Sequence, residues 1–303
     1  MYHASDPRSA LASPETKKKQ PVVAFHEEQY AKFYETEPQE RDDKGATWYA
    51  RGQNFIIAYT DAMAGAVLVR KNQPDEYIVI LPDADTVLEI ATPDETKTVN
   101  GYSVTIVPPG ESTITVVKAG KVHRMFSSFS QDLAGKCSNA SAYINPDPNV
   151  PPLELWPEPK DGFRIRSYSL DIPQEQGRFG RIFRCTTFMV NYLDPKIGPR
   201  DPRIMSPHHH DDFEQCSLAV QGSFIHHVRW PWTTDSTIWR EDRHELCHSP
   251  SFTVIPPPSI HTSQAMDPVM SQLIDVFCPP RVDFSLKPGW VLNADEYPMP
   301  GEK

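Results

Sequence analysis

One short pattern occurs twice in this chain, and it limits the fold more than anything else in the sequence. Ser103-Val-Thr-Ile-Val-Pro-Pro109 returns as Ser251-Phe-Thr-Val-Ile-Pro-Pro257. Further stretches fall into line around it. Gly110-Glu-Ser-Thr113 lies on Pro258-Ser-Ile-His261, and Val122-His-Arg-Met-Phe126 on Leu273-Ile-Asp-Val-Phe277. Upstream, Arg70-x-Asn72 and Glu76 lie on His208-x-His210 and Glu214. Short β-rich runs such as QNFIIAYT, EYIVIL and STITVV fill the first copy, bounded by Gly, Pro, Asp and Asn. That is how sandwich and barrel strands read. The 31 prolines are about twice the usual share and argue against long helices. The pattern predicts an all-β chain: two tandem β-barrels with few short helices.

The second copy carries the chemistry. In PHHHDDFEQCSLAVQG, residues 208, 210, 214, 216, 218 and 220 share one parity, so on an unbroken strand they leave the same face. Two imidazoles and a carboxylate then point toward an apolar core and need a partner there. A divalent metal satisfies all three, and His261 offers a fourth ligand. The first copy has Arg70, Asn72 and Thr113 where the second has its imidazoles, and keeps only Glu76. The expectation is a metal-free first barrel in which Arg70 and Glu76 form an ion pair in the metal's place.

His-x-His followed by Glu and then Gly222, with a late His after a Pro-rich turn (Pro256-x-Pro258-Ser-Ile-His261), resembles the two metal motifs of the cupin family. Pro258 stands where the family has Gly. Two copies make the chain similar to a bicupin, with jelly-roll-like barrels. The resemblance implies His208, His210, Glu214 and His261 as ligands of one divalent transition metal, iron(II) first, with manganese, nickel or zinc as alternatives. It also implies a homodimer. The family's activities are broad. The leading expectation is a dioxygenase that cleaves a small oxygenated, even aromatic, substrate. The alternatives are a redox-neutral isomerase, lyase or hydratase acting on a hydroxy- or sugar-acid, and a non-catalytic small-molecule binder.

Between the copies, INPDPNVPPLELWPEPKDG is dense in proline. The expected division is a flexible tail over 1–20, the degenerate barrel over 21–142, a linker over 143–160 and the metal barrel over 161–303. A short helix is expected around Tyr30, Phe33 and Tyr34. The segment after the metal strand, FIHHVRWPWTTDSTIWREDRHELCH, holds Trp230, Trp232, Trp239 and Arg229. It reads as either a lid over substrate or a seal between barrels. Arg229, Trp230, Trp232 and Gln264 are the candidate substrate contacts. Glu214 and His226 are the candidate catalytic groups, His226 because the alternation from Val220 turns it inward.

A formal net charge of −10 disfavours a nucleic-acid partner. Five scattered cysteines without a Cys-x-x-Cys indicate neither a disulfide framework nor a zinc knuckle. No apolar run is long enough for a membrane span, and the N-terminus has no hydrophobic signal core. A cytoplasmic enzyme acting on a small molecule is the expectation.

Overall fold

The computed structural model describes residues 24–211 and 213–301, and the tail expected over 1–20 lies outside them. The described chain is β-sheet with two four-residue α-helices, Gln131–Ala134 and Val282–Ser285. Each half forms a large and a small antiparallel sheet. In the first half the large sheet runs, in spatial order, Arg166–Ser169, Ser103–Val107, Tyr77–Leu81, Gly120–Ser127, Phe55–Ala62, Gly45–Arg51 and Glu40–Arg41. Its small sheet is Val67–Gln73, Gly110–Lys118, Val87–Ala91 and Thr96–Asn100. In the second half the large sheet runs Gln29–Lys32, Ser251–Ile255, Gln215–Gln221, Met270–Phe277, Met189–Tyr192 and Arg181–Arg184. Lys196–Ile197 pairs off this path. The small sheet is Arg243–His248, Ser223–Arg229 and Ile260–Ala265. Among the described residues no helix is long and apolar enough to cross a membrane.

Two strands change sides. Gln29–Lys32, early in the chain, pairs with Ser251–Ile255 in the second barrel. Arg166–Ser169, from beyond the Pro-rich stretch, pairs with Ser103–Val107 in the first. The helix expected near Tyr30 is therefore a strand. Ala31 and Phe33 both enter the core between the barrels, where Phe33 stacks on Tyr59 at 5.4 Å. A period of two overrides the weak helical spacing.

The two large sheets pack face to face. Ile57, Ile80 and Ile106 come from one side, and Leu218, Val254 and Ile274 from the other. The opposite face of each large sheet looks into its own barrel. Strands covered on both sides read as continuous buried runs rather than as alternation, as Phe55–Tyr59 does. The barrel interiors differ. The first is filled by Ile56, Val79, Leu88, Ile114 and Phe126 among others, whereas the second contains Ser217, Asp275, Asn191 and Thr253, all buried.

Candidate metal centre

His208 and His261 face each other across a two-way backbone pairing, His208 N to His261 O at 3.0 Å and His261 N to His208 O at 2.7 Å. This sets their rings 4.4 Å apart. Each ring is fixed the same way, with Nδ1 3.0 Å from Ser206 O in one and 3.1 Å from Ser259 O in the other. A backbone carbonyl can only accept, so Nδ1 carries a proton in both rings and Nε2 is the atom left to face an ion. His210 joins them, and one nitrogen from each of the three buried imidazoles lies within 4.8 Å of the others. Burial, followed by the positive charge of Arg281, pulls the His210 pKa well below the usual imidazole range, so it stays neutral.

The fourth group is Gln215. Its Oε1 lies 2.8 Å from His210 Nε2 and 3.2 Å from His261 Nε2. Its amide nitrogen lies 3.3 Å from Asp275 Oδ1 and 3.4 Å from Ser217 Oγ. A carboxylate accepts only, so Asp275 draws the amide NH₂ toward itself and leaves the carbonyl oxygen facing the imidazoles. Three imidazoles and one carbonyl oxygen fit a divalent transition ion, and second-sphere bonds orient His208, His261 and Gln215. The cluster sits at the wall of a cavity of about 450 Å³ whose lining includes His208, His261, Gln215, Asp275, Ser263 and Arg200.

Glu214, expected in this cluster, is turned away from it. The chain leaves the extended form after His210, whose ring stacks on Phe213 at 4.4 Å. Regular strand begins at Gln215. The turn shifts the parity by one, and a one-residue slip exchanges the two faces of a strand. Glu214 Oε2 instead accepts a hydrogen bond from the backbone N–H of Gln53 in the first barrel, and the carboxylate bonds the Tyr143 hydroxyl. A Cβ on Gly52 would lie 2.8 Å from that oxygen and 2.4 Å from the Phe55 ring, so the close approach needs glycine. Burial pushes the Glu214 pKa up to about 7, against the lowering effect of the Gln53 N–H.

The expected Arg70–Glu76 pair does not form either. Arg70 makes a two-pronged bond to Asp132 at 2.6 and 3.1 Å and reaches Gln73 at 2.9 Å. Glu76 points to the second barrel, where it accepts from Thr186 N at 3.1 Å, Thr186 Oγ1 at 3.0 Å and Tyr297 OH at 2.8 Å. Tyr77, at the position of Gln215, stacks on Phe126 and bonds Ser112 at 2.9 Å. Arg70 lies over the same Phe126 ring at 5.2 Å. These side chains occupy the place in the first barrel that corresponds to the imidazole cluster.

The remaining candidates divide by face. His226 points inward as expected, with Nδ1 2.9 Å from Ser263 Oγ and Nε2 without a partner among the described residues. Burial lowers its pKa to about 3, so it is neutral. Gln264 and Arg229 lie on the outer face. Gln264 Nε2 donates to Arg200 O at 3.1 Å, and Arg229 pairs with Asp242. Trp230 is buried with Phe25, Val228 and Ile255. Trp232 is 79% exposed and stacks on Trp239 at 4.8 Å. None of these four lines the cavity. Gln215 and Asp275 are the groups that the sequence reading missed.

No protein-family model and no curated protein matches the chain. Solved structures do. The oxalate decarboxylase of Lactobacillus farciminis, in a formate complex, is 14% identical over 87% of this chain and 88% of that one, with a TM-score of 0.56. A Bacillus subtilis oxalate decarboxylase variant is 11% identical over 92% and 85%, with a TM-score of 0.57. Another structure of that Bacillus enzyme, 12% identical over the same shares with a TM-score of 0.56, concerns its Mn(II) centres. AerE from Microcystis aeruginosa is 9% identical over 80% and 95%, with a TM-score of 0.53. In fold, this chain is similar to the oxalate decarboxylases over most of its length.

Proposed function

We propose that the chain is a divalent-metal-dependent enzyme whose second barrel carries out Lewis-acid chemistry, without net oxidation, on a small oxygenated anion. The observation behind this reading is the convergence of His208, His210, His261 and the Gln215 carbonyl beside a cavity. When bound, a divalent ion there supplies positive charge that polarises a ligand oxygen. The chain's own groups do the rest. Ser206 and Ser259 hold two imidazoles in the donor tautomer, and Asp275 holds Gln215. Ser263 lines the cavity, and neutral His226 behind it orients the Ser263 hydroxyl toward a ligand.

All four donors are neutral, so the ion keeps its full double charge. That favours an anionic ligand and the divalent over the trivalent state. It supports isomerase-, lyase- or decarboxylase-type chemistry over the dioxygenase first expected. Mn(II), named for the Bacillus oxalate decarboxylase, replaces iron(II) as the first metal to load. A homodimer in the cytoplasm is also part of the proposal, and light scattering checks the stoichiometry. The main test is elemental analysis of Mn(II)-loaded protein with oxygen uptake followed during turnover of small oxygenated acids. One ion per chain, lost in His208→Ala, and turnover without oxygen uptake are expected. A chain that retains no ion refutes the proposal, and oxygen consumed in step with turnover restores the dioxygenase.

A further inference from the structure

A second pair of imidazoles meets on the opposite face of the small sheet. His227 and His244 stand directly across from each other on the antiparallel strands Ser223–Arg229 and Arg243–His248, one rung from the end of their ladder. Phe224, His226 and Val228 are buried, so His227, between them, turns outward. The two rings lie 4.9 Å apart and their Nδ1 atoms 2.7 Å apart. Neither lines the cavity beside His208. Both line a separate surface pocket of about 170 Å³, together with Asp242, Arg229 and Thr262, so an ion in that pocket can touch them.

The surrounding hydrogen bonds fix which atoms hold protons. Gln264 Nε2 donates to the Arg200 carbonyl at 3.1 Å. Gln264 Oε1 therefore faces His227 Nε2, 3.3 Å away, and an amide oxygen can only accept. His227 thus carries a proton on Nε2. Burial first of all lowers its pKa, so the ring is neutral and its lone pair is on Nδ1. That lone pair points at His244 Nδ1, and His244 donates across the gap. A divalent ion can replace this shared proton, leaving His244 protonated on its outer nitrogen. Imidazole nitrogens bind zinc at about 2.0–2.1 Å, so two of them on a tetrahedral ion stand roughly 3.3 Å apart. The pair opens by about 0.6 Å from its present 2.7 Å to admit one. Arg229 and Asp242, the charged groups in the pocket, are paired with each other and set no net charge against a cation.

We propose that His227 and His244 form a second metal site, on the outer face of the second barrel, which takes zinc(II) or a similar late transition ion with water completing its shell. The ion clasps the two strands at the root of the segment 230–242, which carries Trp230, Trp232 and Trp239. Two imidazoles favour copper, nickel and zinc over manganese, so loading with Mn(II) leaves this pair unfilled. The site shares no ligand with the cluster at the cavity and does not rest on the function proposed for it.

Calorimetric titration of metal-free protein with Zn(II) tests this. Wild type should take two ions per chain, and His244→Ala, at an exposed position, should take one. His208→Ala should also take one, and that ion should be lost in the His208→Ala, His244→Ala double variant. Zn(II) should raise the melting point of His208→Ala and leave that of the double variant unchanged. If His244→Ala does not fold, His227→Ala serves in its place. Zinc bound by the folded variant in the same number and with the same affinity as by wild type is adventitious binding at other side chains, and overturns the inference. One ion in wild type and none in His244→Ala would sink the metal reading of the cavity alone. One ion in wild type, kept in His244→Ala and lost in His208→Ala, would sink this site alone.

Discussion

Glu76 and Glu214 hold equivalent places in the repeat, and each sends its carboxylate into the other barrel. Glu76 is met by Thr186 and Tyr297, and Glu214 by Gln53 and Tyr143. The neighbouring backbone repeats the relationship. Asn139 brackets Arg51 with bonds of 2.9 and 2.8 Å, as Asn293 brackets Arg184 with 3.0 and 2.9 Å. The carboxylates tie the barrels together.

Glu214→Ala should therefore keep its metal and lose stability. Unmaking the bonds from Gln53 and Tyr143 in a buried site costs about 2–4 kcal/mol. His208→Ala should do the reverse, losing metal with a smaller change in the metal-free melting point. Elemental analysis and thermal melting of both variants check the pair, and metal lost from Glu214→Ala would return that residue to the ligand set.

Gln215→Glu should have opposite effects with and without metal. A new carboxylate would lie beside Asp275, since the present amide is 3.3 Å from it, so the metal-free protein should melt lower. Metal bound to the native state offsets that repulsion, and the melting-point gain on adding Mn(II) should exceed the wild-type gain. Equal gains would mean that residue 215 does not face the ion.

Asp75 gives a pH signature far from the metal site. Burial raises its pKa to about 6 from 3.8, while bonds from Ser127 and Gln73 pull the other way. The folded state thus holds the proton more tightly than the unfolded chain. The stability tied to the protonated form is complete below about pH 4 and is lost as pH rises through about 6. Asp75→Asn should flatten that decline and raise stability at pH 8 by up to about 3 kcal/mol. Denaturant melts at pH 4, 6 and 8 measure it, and parallel curves for both proteins would contradict it.

The tryptophans should separate by burial. Trp230→Ala opens a cavity among Phe25, Val228 and Ile255 and should cost about 3–5 kcal/mol. Trp232→Ala, at an exposed ring, should leave the melting point nearly unchanged. Neither should alter ligand affinity in the second barrel. A weaker affinity in folded Trp232→Ala would revive the lid.

The repeat made the two-barrel fold legible, and the His-x-His pair with His261 made the imidazole cluster legible. The fourth group was hidden because regular strand begins only at Gln215, so parity counted from His208 chose Glu214 over Gln215. The sequence did contain a hint. Glu76 persists in the copy that lost every imidazole, and a residue kept without the metal is explained by a duty other than binding it. Tyr77 beside it, where the second copy has Gln215, marks the position that changed along with the ligands. The outer pair of His227 and His244 could not be read because the two residues meet only once their strands are in register.

The two strands that change sides bear on how this protein can be taken apart. Cutting at the Pro-rich stretch would leave the second half without Gln29–Lys32, so the Ser251–Ile255 strand would lose its neighbour on one side and expose unpaired amides and carbonyls. The first half, cut before Arg166, would have the same open border along Ser103–Val107. Each fragment would present a template that the missing strand of another molecule fits. Separately expressed halves should therefore find each other, or cross-pair between copies, before either persists alone. The duplication is covalent in sequence but interlaced in space, and the smallest unit able to fold is the whole pair.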